Sequence, residues 1–311
     1  MRRVLIAAAW CGFSAAAGMA QTATQTDPLR TVVIDAVAFD RSNKPVTDLR
    51  QDEVEVWIAG YRAPIQAFEA VTPANDPGEG RLIVLLLDDM ALPLQLVPRA
   101  RDVAKRFVNR MGPDDEMAIV LLNGGRMEST SDRARLLQTI DGYNVRLSGV
   151  MRIDELGAHV LNTVTTIARG LAEMAPDRRG VIVAIGASWL FDRPIPPPSI
   201  ARDLRAEWTA AIRALAVARA SLYVIEPAGL GMAPVGGGSG GFARATGGHT
   251  FLNTNDLTGA ADRIMRETAH YYLIAVTDPP VQRKADLREL EVRVLRRDVT
   301  MRAREFIGGT R

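Results

Sequence analysis

Residues 81–89 read Arg81-Leu82-Ile83-Val84-Leu85-Leu86-Leu87-Asp88-Asp89, and the reading of this stretch decides the fold. Six consecutive apolar side chains leave neither face of a strand for water, so the segment predicts a central parallel strand covered on both sides. The two aspartates mark its carboxyl end. Downstream, helical and strand-like segments alternate, the pattern of a sheet packed between helices. The next helix carries Ala100, Val103, Ala104, Phe107, Val108 and Met111 at three- and four-residue spacing, with Pro98 suited to its first turn. A second strand is expected at 116–122. There Asn123-Gly124 suits a type I′ turn into a short antiparallel return at 126–129.

Two helices follow. Ser131-Asp132 can cap the first, whose apolar stripe is Leu136, Leu137 and Ile140. The second buries Leu156, Val160, Val164, Ile167, Leu171 and Met174. Positions 180–186 and 221–226 are further strands, separated by a helix presenting Leu204, Trp208, Ile212 and Leu215. A helix over 257–267 and a last strand over 271–276 complete the alternation.

Outward from this region the pattern turns to pure β. Positions 31–39 read as a strand and 40–45 as a turn, and Val54, Val56 and Ile58 alternate along one face. With a short strand at 65–68 these form a small β module, 31–70, joined by a Pro/Gly-rich linker, 71–80, to the α/β domain, 81–278. In the tail, 279–311, Leu290, Val292 and Val294 alternate before a turn at Arg297-Asp298, and Val299, Met301 and Ala303 after it. That reads as a hairpin able to pair with the N-terminal module.

The first twenty residues differ in kind. Arg2 and Arg3 precede a nearly uncharged apolar run, and Gly18-Met19-Ala20 supplies the small residues that signal peptidase needs before Gln21. The run is shorter than the ~20 residues of a spanning helix, so a cleaved signal (1–20), a loose leader (21–30) and a secreted or periplasmic product are expected. Trp10 before Cys11 argues against lipidation. Without this segment the chain has no cysteine, hence no disulfide and no thiolate metal site. The 38 basic residues become 36, equal to the 36 acidic ones, so charge offers no argument for nucleic acid or anionic membrane as partner. No oligomeric state follows from the sequence.

Motifs of enzymatic chemistry are few. His159, His249 and His270 stand on separate elements, and there is no His-Glu-x-x-His or Gly-x-Ser-x-Gly. Gly236-Gly237-Gly238-Ser239-Gly240-Gly241 follows a strand, yet lacks the Gly-Lys-Ser/Thr of a phosphate cradle and reads as a flexible loop. Asp88, Asp89, Ser188 and Glu226 all fall just after parallel strands, where open α/β sheets place their ligand crevice. Two readings compete there. The carboxylates form a cation or acid–base site, or Asp88 caps its loop and Glu226 pairs with an arginine; loop-end carboxylates commonly serve as caps.

The chain resembles the bacterial VWFA-related proteins, a branch of the von Willebrand factor A superfamily. The resemblance rests on Ala245-Thr246-Gly247-Gly248-His249-Thr250-Phe251, on Asn253 and Asn255-Asp256-Leu257, and on His270-Tyr271-Tyr272-Leu273. Asn43-Lys44-Pro45-Val46-Thr47-Asp48-Leu49 and Val299-Thr300-Met301-Arg302-Ala303-Arg304 are similar to the family's flanking β segments. Glu305-Phe306 depart from its usual Gly-Tyr. The resemblance implies an α/β fold: a Rossmann-like A-type domain with one antiparallel edge strand and helices on both faces, plus flanking β segments. It also implies a divalent cation, Mg²⁺, held by Asp-x-Ser-x-Ser after the first strand and by a Thr and an Asp from later loops. Here Asp88 holds the first position, but Met90 and Leu92 replace the serines, and Gly186-Ala187-Ser188 replaces Thr-Asp-Gly. The adhesion motif is degenerate, so no cofactor is expected; any cation would have to use Asp88, Asp89 and Glu226. The expected function is non-enzymatic binding of a protein or cell-surface polymer at the C-terminal edge of the sheet. Asp88, Asp89, Ser188, Trp189 and Glu226 are the contact candidates, with loops 194–198 and 236–241 as the rim. A hydrolase using Asp88, Asp89 or Glu226, and a structural component of an envelope assembly, are the alternatives.

Overall fold

Two kinds of sheet share the chain, and the burial along each strand tells them apart. The computed structural model describes residues 30–73, 80–146, 152–176, 178–187, 203–229, 240–252, 254–281 and 284–308. Residues 1–29, Ser188, Trp189, Asn253, loop 194–198, residues 236–239 and most of the linker lie outside them. In chain order come β1 (Thr31–Asp40), β2 (Val54–Ile58), β3 (Tyr61–Ala63) and β4 (Ile65–Val71). Next are β5 (Leu82–Leu87), α1 (Val97–Asn109), β6 (Glu116–Leu121), α2 (Arg133–Gly142), α3 (Ile153–Met174) and β7 (Gly180–Ile185). Then follow α4 (Arg205–Val217), β8 (Ala220–Ile225), α5 (Gly240–Ala245), β9 (Thr250–Phe251) and α6 (Leu257–Ala269). Four strands close the chain: β10 (Tyr271–Thr277), β11 (Leu287–Val294), β12 (Val299–Ala303) and β13 (Phe306–Gly308).

The fold is α/β. A five-stranded parallel sheet runs in the order β6-β5-β7-β8-β9, and every residue of β5, β7 and β8 is buried. Leu82, Val84 and Leu86 face α3 and α4, while Ile83, Leu85 and Leu87 face α1, α2 and α6. The uninterrupted apolar run 82–87 thus serves two cores at once. Truncating one such side chain, Leu85→Ala, costs about 2–5 kcal/mol because the neighbours close the cavity only in part. Asp132 caps α2 by accepting from the Ala134 and Arg135 amides. Asp256 caps α6 by accepting from Gly259.

The antiparallel return expected at 126–129 shrinks to a single bridge, Met117↔Thr130, so the sheet is wholly parallel. Among positive-φ residues Gly124 is present but Asn123 is not, so the type I′ turn that would start a hairpin does not form. Met174, at the end of the α3 stripe, is 47% exposed.

The remaining strands form two four-stranded antiparallel sheets, β12-β1-β10-β4 and β13-β11-β2-β3, packed face to face. Their shared core includes Ile34, Ala36, Val56, Ile58, Tyr272, Ile274, Val276 and Leu290. Segment 271–276, read from sequence as the last strand of the parallel sheet, is β10, and it pairs with β1 and β4 instead. Its alternating burial, unlike that of β5, suits a sandwich strand. The expected tail hairpin is also different. β11 pairs with β2 and β12 with β1, so the turn at Arg297-Asp298 carries the chain from one sheet to the other. The two alternating apolar rows then meet across the core rather than side by side.

The sandwich lies against the N-terminal end of the parallel sheet. Arg302 of β12 pairs with Glu267 at the end of α6 and donates to the Gly247 carbonyl (3.1 Å). Arg304 donates to the Ala216 carbonyl at the end of α4 (2.7 Å).

Candidate functional site

In the parallel sheet, β6 lies on one side of β5 and β7 on the other, which makes the β5–β7 boundary the topological switch point. Asp88, one residue past β5, stands there and is fully buried. Its Oδ1 accepts from the Met90 and Ala91 amides at 3.0 and 2.7 Å. Its Oδ2 accepts from the Ala187 amide at 3.0 Å, across the boundary. Gly186 makes this approach possible, since a Cβ there would sit 2.3 Å from the Asp88 Cβ. One carboxylate therefore closes its own turn and fastens the ends of two strands.

Asp89 is equally buried and accepts from the Asn123 amide after β6 at 2.8 Å. Its carbonyl accepts from the Arg146 amide at 2.8 Å. The Tyr143 hydroxyl, which nothing in the local sequence singles out, donates to the Asp88 carbonyl at 2.5 Å. Burial, with the Asp88 and Asp89 charges added, pushes that phenol well above its ordinary range, so it stays a donor. Glu226 follows β8 and is 3% exposed. The loop after it is held by Arg99 of α1, which donates to the Pro227 and Ala228 carbonyls at 3.2 and 3.3 Å. Gly229, at φ +75°, turns where a side chain would strike both Arg99 and Asn255.

Asp88, Asp89 and Glu226 thus share one edge of the sheet, with Glu226 separated from the aspartates by β7. Among the described residues no group of three or more His, Asp or Glu side chains is placed to hold a metal ion. The donor set at Asp88 also has the wrong chemistry for Mg²⁺. Leu92 is buried in the core beside α1, Met90 packs on the opposite core, and three amides already occupy Asp88. His159 bonds through Nε2 to the Leu122 carbonyl (2.8 Å), the part of a boundary residue on α3.

Of the segments quoted above for their family resemblance, Asn255 lies beside Gly229 at this edge, whereas Thr246-Gly247-Gly248 and Tyr272 lie elsewhere. Thr246 Oγ1 accepts from the Leu222 amide and donates to the Ala243 carbonyl, and Gly247 lies against the Arg304 amide. A Cβ on Gly248 would stand 1.8 Å from the Leu222 carbonyl oxygen. The Tyr272 hydroxyl donates to the Val46 carbonyl (2.9 Å) and accepts from the Leu49 amide (3.0 Å). Thr246 and Gly247 thus join the sandwich to the parallel sheet, and Tyr272 ties strands to a loop inside the sandwich. Compared with known proteins, the chain matches no family model and no curated protein.

Proposed function

We propose that the chain is a non-enzymatic binding protein of the VWFA-related type, exported from the cell. It recognises a protein or surface-polymer partner through the C-terminal edge of its parallel sheet and uses no cation there. The observation that carries this reading is the engagement of Asp88 by three main-chain amides. A carboxylate so committed is a clasp for two strand ends, not a base and not the anchor of an octahedral ion. The result is a rigid rim on which loops of variable length can be displayed, the usual arrangement for recognition. The resemblance of 43–49, 245–257, 270–273 and 299–304 to the VWFA-related family supports the type.

Two measurements test it. Thermal unfolding with and without about millimolar Mg²⁺, Mn²⁺ or Ca²⁺ should give superimposable midpoints, because only a ligand of the folded state raises them. A saturable rise that Asp88→Ala abolishes would restore a metal site. Crosslinking on intact cell envelopes should give a discrete adduct that Asn123→Arg, a bulky charge on the exposed rim, removes. Hydrolytic turnover lost in Glu226→Gln would replace the binding reading with an enzymatic one.

A further inference from the structure

We propose that a second site, at the opposite end of the parallel sheet, binds a small oxyanion, a phosphate or carboxylate group, with Arg179 as its main cation. A cleft of about 320 Å³ opens there beneath the N-terminal ends of β5 and β7, bounded by Arg81, Arg178, Arg179, Thr268 and Tyr271. The three arginines differ in how fully they are engaged. Arg81 is committed: it forms a two-point pair with Asp115 and donates to the Met265 carbonyl and Thr268 hydroxyl. Arg178 donates from Nε to the Gly80 carbonyl at 2.6 Å and faces the Glu116 carboxylate at 3.8 Å, while its Nη2 is buried with no partner among the described residues. Arg179 is only 5% exposed, yet among the described residues neither its Nε nor its Nη1 has a hydrogen-bond acceptor.

A guanidinium cannot shed its charge, and one buried without an acceptor is costly. The Tyr271 ring lies 4.7 Å from the Arg179 carbon, but a ring face offers no acceptor for the N–H groups. Among the described residues no carboxylate pairs with Arg179. Asp115 is taken by Arg81, and Asp114 stands at the exposed rim. Among the described residues Arg179 is therefore the cation of the lining without a carboxylate, beside a space wide enough for a small oxyanion to accept from its guanidinium. This site shares no residue with the C-terminal edge, so its test is independent of the binding reading above.

The test is thermal unfolding of the full protein against inorganic phosphate, with acetate and chloride at matched ionic strength. Phosphate should raise the midpoint and saturate, by roughly 5 °C at about 100 times its dissociation constant. General salt exclusion grows without saturating, so saturation distinguishes the site from it. A saturable rise with acetate in place of phosphate also supports the site and makes it a carboxylate pocket. A response no different from chloride would overturn it and leave the cleft to water. Arg179→Met should abolish the rise, and an undiminished rise in that variant also overturns the assignment. Isothermal titration of the unaltered protein gives a reading that needs no variant to fold: saturable heat supports the site, and its absence rejects it.

Discussion

The carboxylate of Asp35 and the guanidinium of Arg219 meet at 2.6 Å across the seam between sandwich and parallel sheet, with side chains 2% and 21% exposed. Arg304 stands 3.7 Å from the second Asp35 oxygen. Arg219 holds φ +49°, a conformation that disfavours any side chain, so the surrounding contacts must over-determine it. Asp35→Asn removes the charge that faces the buried Arg304 and the part-buried Arg219. A loss of about 3 kcal/mol in urea unfolding is expected, with an unchanged denaturant slope.

Asp88 should behave as a structural clasp. Asp88→Ala strands the amides of Met90, Ala91 and Ala187 and is expected to cost about 3 kcal/mol. Asp88→Asn keeps one acceptor but turns the other position into a donor, so its cost should be intermediate. Thermal unfolding of the two variants checks this ranking.

Two glycines separate crowding from backbone strain. At Gly248 an added methyl collides with the Leu222 carbonyl, whereas at Gly60, φ +79°, nothing lies within 4 Å. Gly60→Ala should therefore cost only about 1 kcal/mol. Gly248→Ala should cost upward of roughly 3 kcal/mol, enough to lower the soluble yield. Equal midpoints for the two would contradict the packing at Thr246-Gly247-Gly248.

A histidine supplies a pH dependence. Burial, reinforced by the Arg302 and Arg263 charges, pulls His249 below the ordinary imidazole range. The unfolded chain takes up this proton near about pH 6.5, the folded chain only at lower pH. Between those points the unfolded state binds more protons, so stability falls as pH drops below about 6.5. In His249→Gln the stability profile should be flatter from about pH 6.5 downward.

Sequence and structure agree where one local pattern admits one answer. The all-apolar run 82–87 can only be a strand covered on both faces, and β5 is that. Asp132 announces the helix that it caps. The disagreements arise where one pattern fits two partners. Tyr271-Tyr272-Leu273-Ile274-Ala275-Val276 is apolar enough for a parallel sheet, and only its pairing with β1 and β4 places it in the sandwich. Alternation at 290–294 and 299–303 is the same in a hairpin and in a chain that crosses between sheets. At the site, the positions of Asp88 and Asp89 were legible, and capping was one of the readings open for Asp88. Their partners Ala187, Asn123 and Tyr143 belong to other loops, and no local pattern links them. Arg179 was silent in sequence because an unmatched cation is visible only once its surroundings are known.

The pairing of β1 with β10 and β12 also imposes an order of events during synthesis. Thr31 finds its neighbour only when Thr277 has been made, and Ala36 waits for Ala303. Between those moments the ribosome delivers the whole parallel sheet, whose strands need nothing from either terminus. Because Val71 and Tyr271 are paired neighbours, that finished body leaves and re-enters the sandwich at adjacent points. The nascent N-terminal strands must stay unaggregated until the last segment emerges, so a chain stopped before β12 would carry a completed centre between two unclosed edges.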